Sequence, residues 1–179
     1  NTLRLDILQH IPNNINKVLD VGCGTGSLGE AIKLNFGKHI EVIGIDCNPK
    51  ASEIAKSKID KIIIGDVENI SIPYDNEYFD CIIYGDVLEI TNNTKCDVIV
   101  MSNILEHIDE RVKFLRKIKE LFTPKIILIR VPLFERSWEI AFRKELGINY
   151  FSDSTHYIEH TIEEFRNEMS DASLKIDDM

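Results

Sequence analysis

The stretch "KVLDVGCGTGSLG" (17–29) decides how the rest of the chain is read. Apolar residues Val18, Leu19 and Val21 run into Gly22, and Gly24 and Gly26 follow at alternate positions before "SLGEAIKLNF" (27–36). In that last segment Leu28, Ala31, Ile32 and Phe36 fall near one stripe, the spacing of a helix. A strand that breaks on glycines and passes at once into a helix lets backbone N–H groups approach a ligand at the helix N-terminus. Gly24, Gly26 and Gly29 also satisfy the GxGxxG spacing of a dinucleotide site, and Asp46 lies 20 residues after Gly26 (46 − 26), where a ribose-binding acid falls. Two features argue against a dinucleotide. A carboxylate at Asp20, two residues before the first glycine, repels a pyrophosphate, and no hydride-transfer constellation follows the turn.

Outward from this turn, short β-branched runs alternate with longer amphipathic segments. The runs are 17–22, "EVIGID" (41–46), "KIIIGD" (61–66) and "KIILIRVP" (125–132). Helices are expected in "NPKASEIAKSKI", with Asn before Pro at its start, in 109–122, with Val112, Leu115, Ile118 and Leu121 three apart, and in 137–147. A further helix, 161–173, opens with Thr161 and Glu164 in capping-box spacing, and "LKIDDM" (174–179) reads as the start of another strand. The alternation predicts an α/β fold, doubly wound, with a mostly parallel sheet and helices on both faces.

With 179 residues, 44% of them hydrophobic, the chain suits one domain spanning 1–179. A net charge of −9 gives no footprint for general nucleic-acid binding. Cys23, Cys47, Cys81 and Cys96 have neither metal nor redox-motif spacing and read as buried free thiols of a cytoplasmic protein. No apolar stretch approaches the roughly 20 residues of a membrane span.

Asp20-Val21-Gly22-Cys23-Gly24-Thr25-Gly26 resembles the first motif of the class I S-adenosylmethionine-dependent methyltransferases, an acidic residue followed by GxGxG. The resemblance implies a Rossmann-like fold, S-adenosylmethionine as cofactor and S-adenosylhomocysteine as product. It implies that Asp20, Gly22, Cys23, Gly24 and Gly26 frame the cofactor and that Asp46, with Cys47 beside it, takes both ribose hydroxyls. Asp66 and Val67 are expected to read the adenine amino group, with Asp86 a rival for that role and Asn103 a further cofactor contact.

The resemblance comes in two overlapping pieces, because "YFDCIIYGDVLEI" (78–90) is echoed by "KCDVIVMSNILEHI" (95–108). Both read as a family fourth strand. Only the second is followed by His107 and directly by a helix, so 97–102 is expected in the fourth place, with an extra or displaced strand near 80–85. The sheet is expected to be incomplete at its C-terminal strands, and an exposed edge of that kind favours a homodimer.

Methyl transfer from a sulfonium is an in-line displacement, so the site mainly aligns reactants and excludes water. A base is needed where the acceptor loses its proton early, and His107 is the candidate. The segment 133–160 is expected to form an insert or acceptor lid, with His156, Tyr157, His160 and Arg130 as substrate contacts. The alternation of His156, Glu159 and His160 does not make a metal site without further ligands. Two readings stand: a methyltransferase acting on a small polar acceptor, a sugar or metabolite oxygen or nitrogen, and a non-catalytic cofactor-binding or interaction module derived from one.

Overall fold

A computed structural model describes residues 5–67, 69–70, 72–75, 77–85 and 95–179. Strands β1 (Lys17–Val21), β2 (Glu41–Asp46), β3 (Lys61–Ile64), β4 (Cys81–Gly85), β5 (Val98–Ser102) and β6 (Ile126–Arg130) form one six-stranded sheet in the order β3-β2-β1-β4-β5-β6. Every pairing is parallel. The helices are α1 (Leu5–Leu8), α2 (Ser27–Phe36), α3 (Pro49–Ala55), α4 (Arg111–Phe122), α5 (Trp138–Glu145) and α6 (Ile162–Asp171).

The central strands are mostly apolar and buried because both faces of the sheet are covered, as parallel pairing requires, whereas the edge strands β3 and β6 are only partly buried. Successive side chains point to opposite faces. Leu19, Ile43, Ile82, Tyr84, Ile99 and Met101 pack on one side with Leu115, Ile118 and Phe122 of α4 and Phe165 and Met169 of α6. Val18, Val42, Cys81, Ile83, Val98 and Val100 pack on the other with Ile7 and Leu8 of α1, Ala31 and Ile32 of α2 and Ala55 of α3. The caps foreseen in the sequence are formed. Asn48 accepts from the amides of Lys50 and Ala51, and Thr161 and Glu164 exchange the two bonds of a capping box.

The strand order corrects one expectation. β1 pairs directly with β4, and β5 pairs with β4 and β6, so 98–102 is not the neighbour of β1. The 81–85 strand is an integral central strand inserted between them, its first four residues buried. Pairing follows the whole apolar run, whereas the residues that favoured the second copy, His107 and the helix behind it, lie after the strand and say nothing about its neighbours. The expected strand at 174–179 does not form, since Leu174–Met179 carries no strand assignment. All four cysteines are free, but Cys47 is exposed, contrary to expectation.

Segment 133–160 leaves the sheet after β6 and returns to its own start. Leu133 and His160 form a bridge, and the Phe134 amide donates to the His160 carbonyl at 2.7 Å. The loop between these points carries a short turn at Phe134–Arg136 and helix α5.

Candidate active site

Strand order reverses between β1 and β4, which opens a crevice at the carboxyl ends of these strands. The glycine turn fills it. Gly22, Gly24 and Gly26 adopt φ of 76°, 53° and 72°, a left-handed path that side chains oppose. The amides of Gly22 and Cys23 both donate to the Ile45 carbonyl, at 2.9 and 3.1 Å, which ties the turn to the end of β2. A Cβ on Gly24 would meet nothing within 4 Å, so the backbone there faces open space that a ligand can enter.

Asp46, at the end of β2, accepts from the Gly24 amide at 2.7 Å and from the Asn48 amide at 2.8 Å, one oxygen for each. A carboxylate offers about four acceptor positions, so these two bonds orient Asp46 and leave room for two hydroxyls. Asp20 is buried beneath the turn at 3% exposure. Cys23 is also buried, and burial, followed by Asp20 and Asp46, pushes its thiol up to about 12, so it stays neutral and frames the turn sterically. Cys47 is exposed beside Asp46. Asp66 closes a turn after β3. Its carbonyl accepts from Asn69 and Ile70, and its side chain accepts from Asn69 at 2.8 Å, with half-buried Val67 following. The rival acid Asp86 lies outside the described residues.

A second constellation gathers at the ends of β5 and β6. A cavity of about 670 Å³ is lined by Asn103, Glu106, His107, Arg130, Arg136, Ser152, Asp153 and His156, among others. Asn103 holds a left-handed φ of 57°, with its amide on the Arg130 carbonyl and its side-chain oxygen accepting from Arg130 at 2.9 Å. The next residues turn through a short helix at Leu105–His107. That turn places Glu106 inward at 1% exposure and His107 at the cavity wall. The Tyr157 amide donates to the Glu106 carbonyl at 2.7 Å and draws the 151–160 segment over the end of the sheet.

Hydrogen bonds fix both imidazoles. Nδ1 of His156 lies 3.0 Å from Glu159, whose carboxylate can only accept, so Nδ1 donates. Nδ1 of His107 lies 2.9 Å from the Thr155 hydroxyl, which gives its own proton to Asp153 at 2.6 Å, so this Nδ1 donates as well. A neutral form of either ring then carries its lone pair on Nε2. Glu159 is buried, yet Arg136, Ser152 and His156 outweigh that burial and hold its carboxyl down at about 2. Burial outweighs a backbone hydrogen bond and the nearby imidazoles and raises the Glu106 carboxyl from its ordinary value. Oε2 of Glu106 is buried without a hydrogen bond.

The structure places Asn103, expected as a cofactor contact, His107, expected as a base, and Arg130 and His156, expected as substrate contacts, on the wall of one cavity. Tyr157 is largely exposed and reaches the site through its backbone. His160 does not line the cavity. It is fully buried with Nε2 2.9 Å from Glu168, whose second oxygen takes Arg111 at 2.6 Å, a clamp between α6, the insert and the start of α4. Glu106 was expected near the site and Glu159 in the cluster around His156, neither with a role, and Ser152 and Asp153 were not singled out. Their signal lay in the "LEH" and "SDSTHYIEH" clusters, whose meeting depends on the fold. Donor atoms of Glu106, His107 and His156 lie within 4.8 Å of one another. Glu106 and His107 thus meet His156 although the two segments lie 50 residues apart (156 − 106).

Among known proteins, the profile described as a methyltransferase domain matches residues 19–125. A ubiquinone biosynthesis O-methyltransferase of Actinobacillus pleuropneumoniae serotype 5b is 30% identical over 130 residues, which cover 72% of this chain and 51% of the relative. A probable cobalt-precorrin-6B C(15)-methyltransferase (decarboxylating) of Methanobrevibacter smithii is 31% identical over 138 residues, 67% of this chain and 69% of that one. The chain thus spans about half the length of the ubiquinone methyltransferase it matches. The crystal structure of the small RNA methyltransferase HEN1 aligns with a TM-score of 0.59 at 20% identity, over 94% of this chain and 20% of that one, a likeness of fold. With its glycine turn, its parallel sheet and a family match over more than half its length, the chain belongs to the class I S-adenosylmethionine-dependent methyltransferases.

Proposed function

We propose that this chain transfers the methyl group of S-adenosylmethionine to an oxygen or nitrogen of a small polar acceptor held in the cavity at the ends of β5 and β6. The observation that carries the reading is the pairing of an open glycine turn with a cavity lined by two imidazoles whose Nδ1 atoms are held by outer partners. When bound, the cofactor supplies a methyl group already activated on a sulfonium sulfur. Gly22, Gly24 and Gly26 let it approach the backbone, Asp46 takes the ribose hydroxyls, and Asp66 with Val67 borders the adenine. Nε2 of His107 or His156 accepts the proton that the acceptor loses. Arg130 and Arg136 line the wall and orient an acceptor with anionic or hydroxyl groups. The 133–160 segment acts as a lid, its ends already bridged at Leu133 and His160.

A second reading, a non-catalytic cofactor-binding module, draws on one observation. β4 separates β1 from β5, so the cavity strand lies two strand spacings, about 10 Å, from the glycine turn's strand. Incubating the protein with methyl-labelled cofactor and fractionated cell extract decides between them. Label transferred to a small molecule supports the enzyme; cofactor binding with no transfer from any fraction supports the module. Free cysteines fit a cytoplasmic location, and edge strand β6, with Ile126 exposed, suits a homodimer.

A further inference from the structure

We propose that the outer face of α5 docks on the same face of a second copy of this chain, antiparallel about a two-fold axis. Trp138, Phe142 and Leu146 stand four residues apart and so form one stripe along the helix. They are 75%, 51% and 57% exposed, whereas Ile140, on the opposite side, is buried. The rings of Trp138 and Phe142 lie 6.1 Å apart. At the helix end the Ile148 amide donates to the Arg143 carbonyl and the Gly147 amide to the Lys144 carbonyl. This closure turns Ile148, itself 53% exposed, back toward the last turn. One exposed apolar side chain needs no explanation, but a contiguous row marks a contact surface.

Symmetry and charge select a second copy as the occupant. The stripe is centred on Phe142, so antiparallel pairing sets Trp138 against the partner's Leu146 at both ends and Phe142 against the partner's Phe142. On one flank Glu139 and Arg143 repeat the four-residue spacing, both exposed. Neither side chain is taken up in an ion pair among the described residues. Antiparallel pairing brings each Glu139 beside the partner's Arg143, which gives two opposite-charge contacts from one pair of residues. With about 150–250 Å² to bury on a whole aromatic side chain, the four residues expose on the order of 500 Å² per copy, and about 1,000 Å² in two copies reaches the lower bound of a specific interface.

A lipid surface fits the face less well. Glu139 and Glu145 flank the stripe, and Lys144 already lies over the rings of Phe134 and Tyr150, at 5.0 and 5.4 Å. Arg143 would then meet headgroups beside two acids, whereas an interfacial helix carries a basic polar face. Because α5 follows Arg136 of the cavity wall through Ser137 alone, pairing also restrains the segment that covers the cavity. The contact itself does not depend on methyl transfer.

Sedimentation velocity of the full chain from about 1 to 200 μM tests the pairing, and the expected result is a reversible monomer–dimer equilibrium. Phe142→Asp is expected to weaken the dimer by about 100-fold or more, since each change counts twice across the axis. Glu139→Arg and Arg143→Glu are each expected to weaken it by about tenfold, and an equimolar mixture of the two to regain it, because the mixed pair restores opposite charges at both contacts. Circular dichroism confirms that the variants are folded, and Leu146→Glu replaces Phe142→Asp if that one is not. A monomer at every concentration, or no recovery in the mixture, overturns the proposal. So does a dimer equally strong in wild type and Phe142→Asp, the result that pairing through the edge of β6 would give. A monomer that floats with phosphatidylcholine–phosphatidylglycerol vesicles, and ceases to in Phe142→Asp, assigns the face to lipid and overturns it as well.

Discussion

Gly24 and Gly29 stand five residues apart and answer to different constraints. Gly29 lies where α2 crosses the sheet, and a Cβ there would come within 2.5 Å of Ile59 Cγ2 and 2.8 Å of Val42 Cγ1. Alanine favours a helix by up to about 1 kcal/mol over glycine, but overpacking costs about 1–3 kcal/mol. Val42 is fully buried and cannot retreat, so the clash wins. Gly29→Ala is expected to cost about 1–2 kcal/mol of stability, read as a lower urea midpoint, while leaving cofactor affinity nearly unchanged. Gly24→Ala meets no atom within 4 Å but must hold φ of 53°, at about 1–2 kcal/mol. Its methyl would enter the open space proposed for the cofactor, so the expected loss is in S-adenosylhomocysteine affinity. Chemical denaturation and calorimetric titration of the two variants separate the roles; equal binding loss in both would contradict the assignment.

At the scale of elements, α6 is fastened by charge. Glu168 accepts from Arg111 and pairs with buried His160. Burial raises its carboxyl, but His160 and Arg111 outweigh burial, and the net effect is a lowered value. A carboxyl with a folded value below its unfolded one stabilises the fold fully above the unfolded value, near 4.5, and that stability is lost as pH falls through the folded value. Glu168→Gln is expected to reduce stability at neutral pH and to flatten its decline on acidification below about 4.5. Urea midpoints across that range check this, and an unchanged acid slope would contradict it. A second expectation concerns β4. Ile82 and Ile83 are fully buried on opposite faces of the central strand, so either change to Ala should cost about 2–5 kcal/mol. A marginal or displaced strand would tolerate both.

The elements themselves were legible because the sheet is covered on both faces and its strands read as short, mostly apolar runs. The caps at Asn48 and Thr161 were legible because capping is local chemistry. The place of β4 was not. Residues 81–85 and 98–102 are alike in apolar character, and which one lies beside β1 is settled by packing of the whole sheet. The glycine turn with Asp46 was readable as one unit, since strand end, turn and acid keep fixed offsets. The meeting of Glu106 with His156 was not, because 50 residues separate them (156 − 106) and a bent-back insert closes the gap.

Taken as a whole, the molecule carries two candidate sites on one rim of a parallel sheet. The glycine turn lies at the switch between β1 and β4, and the histidine cavity lies beyond β5. No described helix is long and apolar enough to cross a membrane, and a net charge of −9 suits neither a polyanionic partner nor an acidic surface. The account therefore rests on the first site holding the cofactor that the second site uses. Isothermal titration of S-adenosylhomocysteine into the wild type and Asp46→Ala tests that claim most directly. The expected result is one saturable site in the wild type, with affinity reduced at least tenfold in a folded Asp46→Ala variant, as expected for about 1.4 kcal/mol or more of lost hydrogen bonding. No binding to the wild type at millimolar ligand, or the same affinity in both proteins, would contradict it.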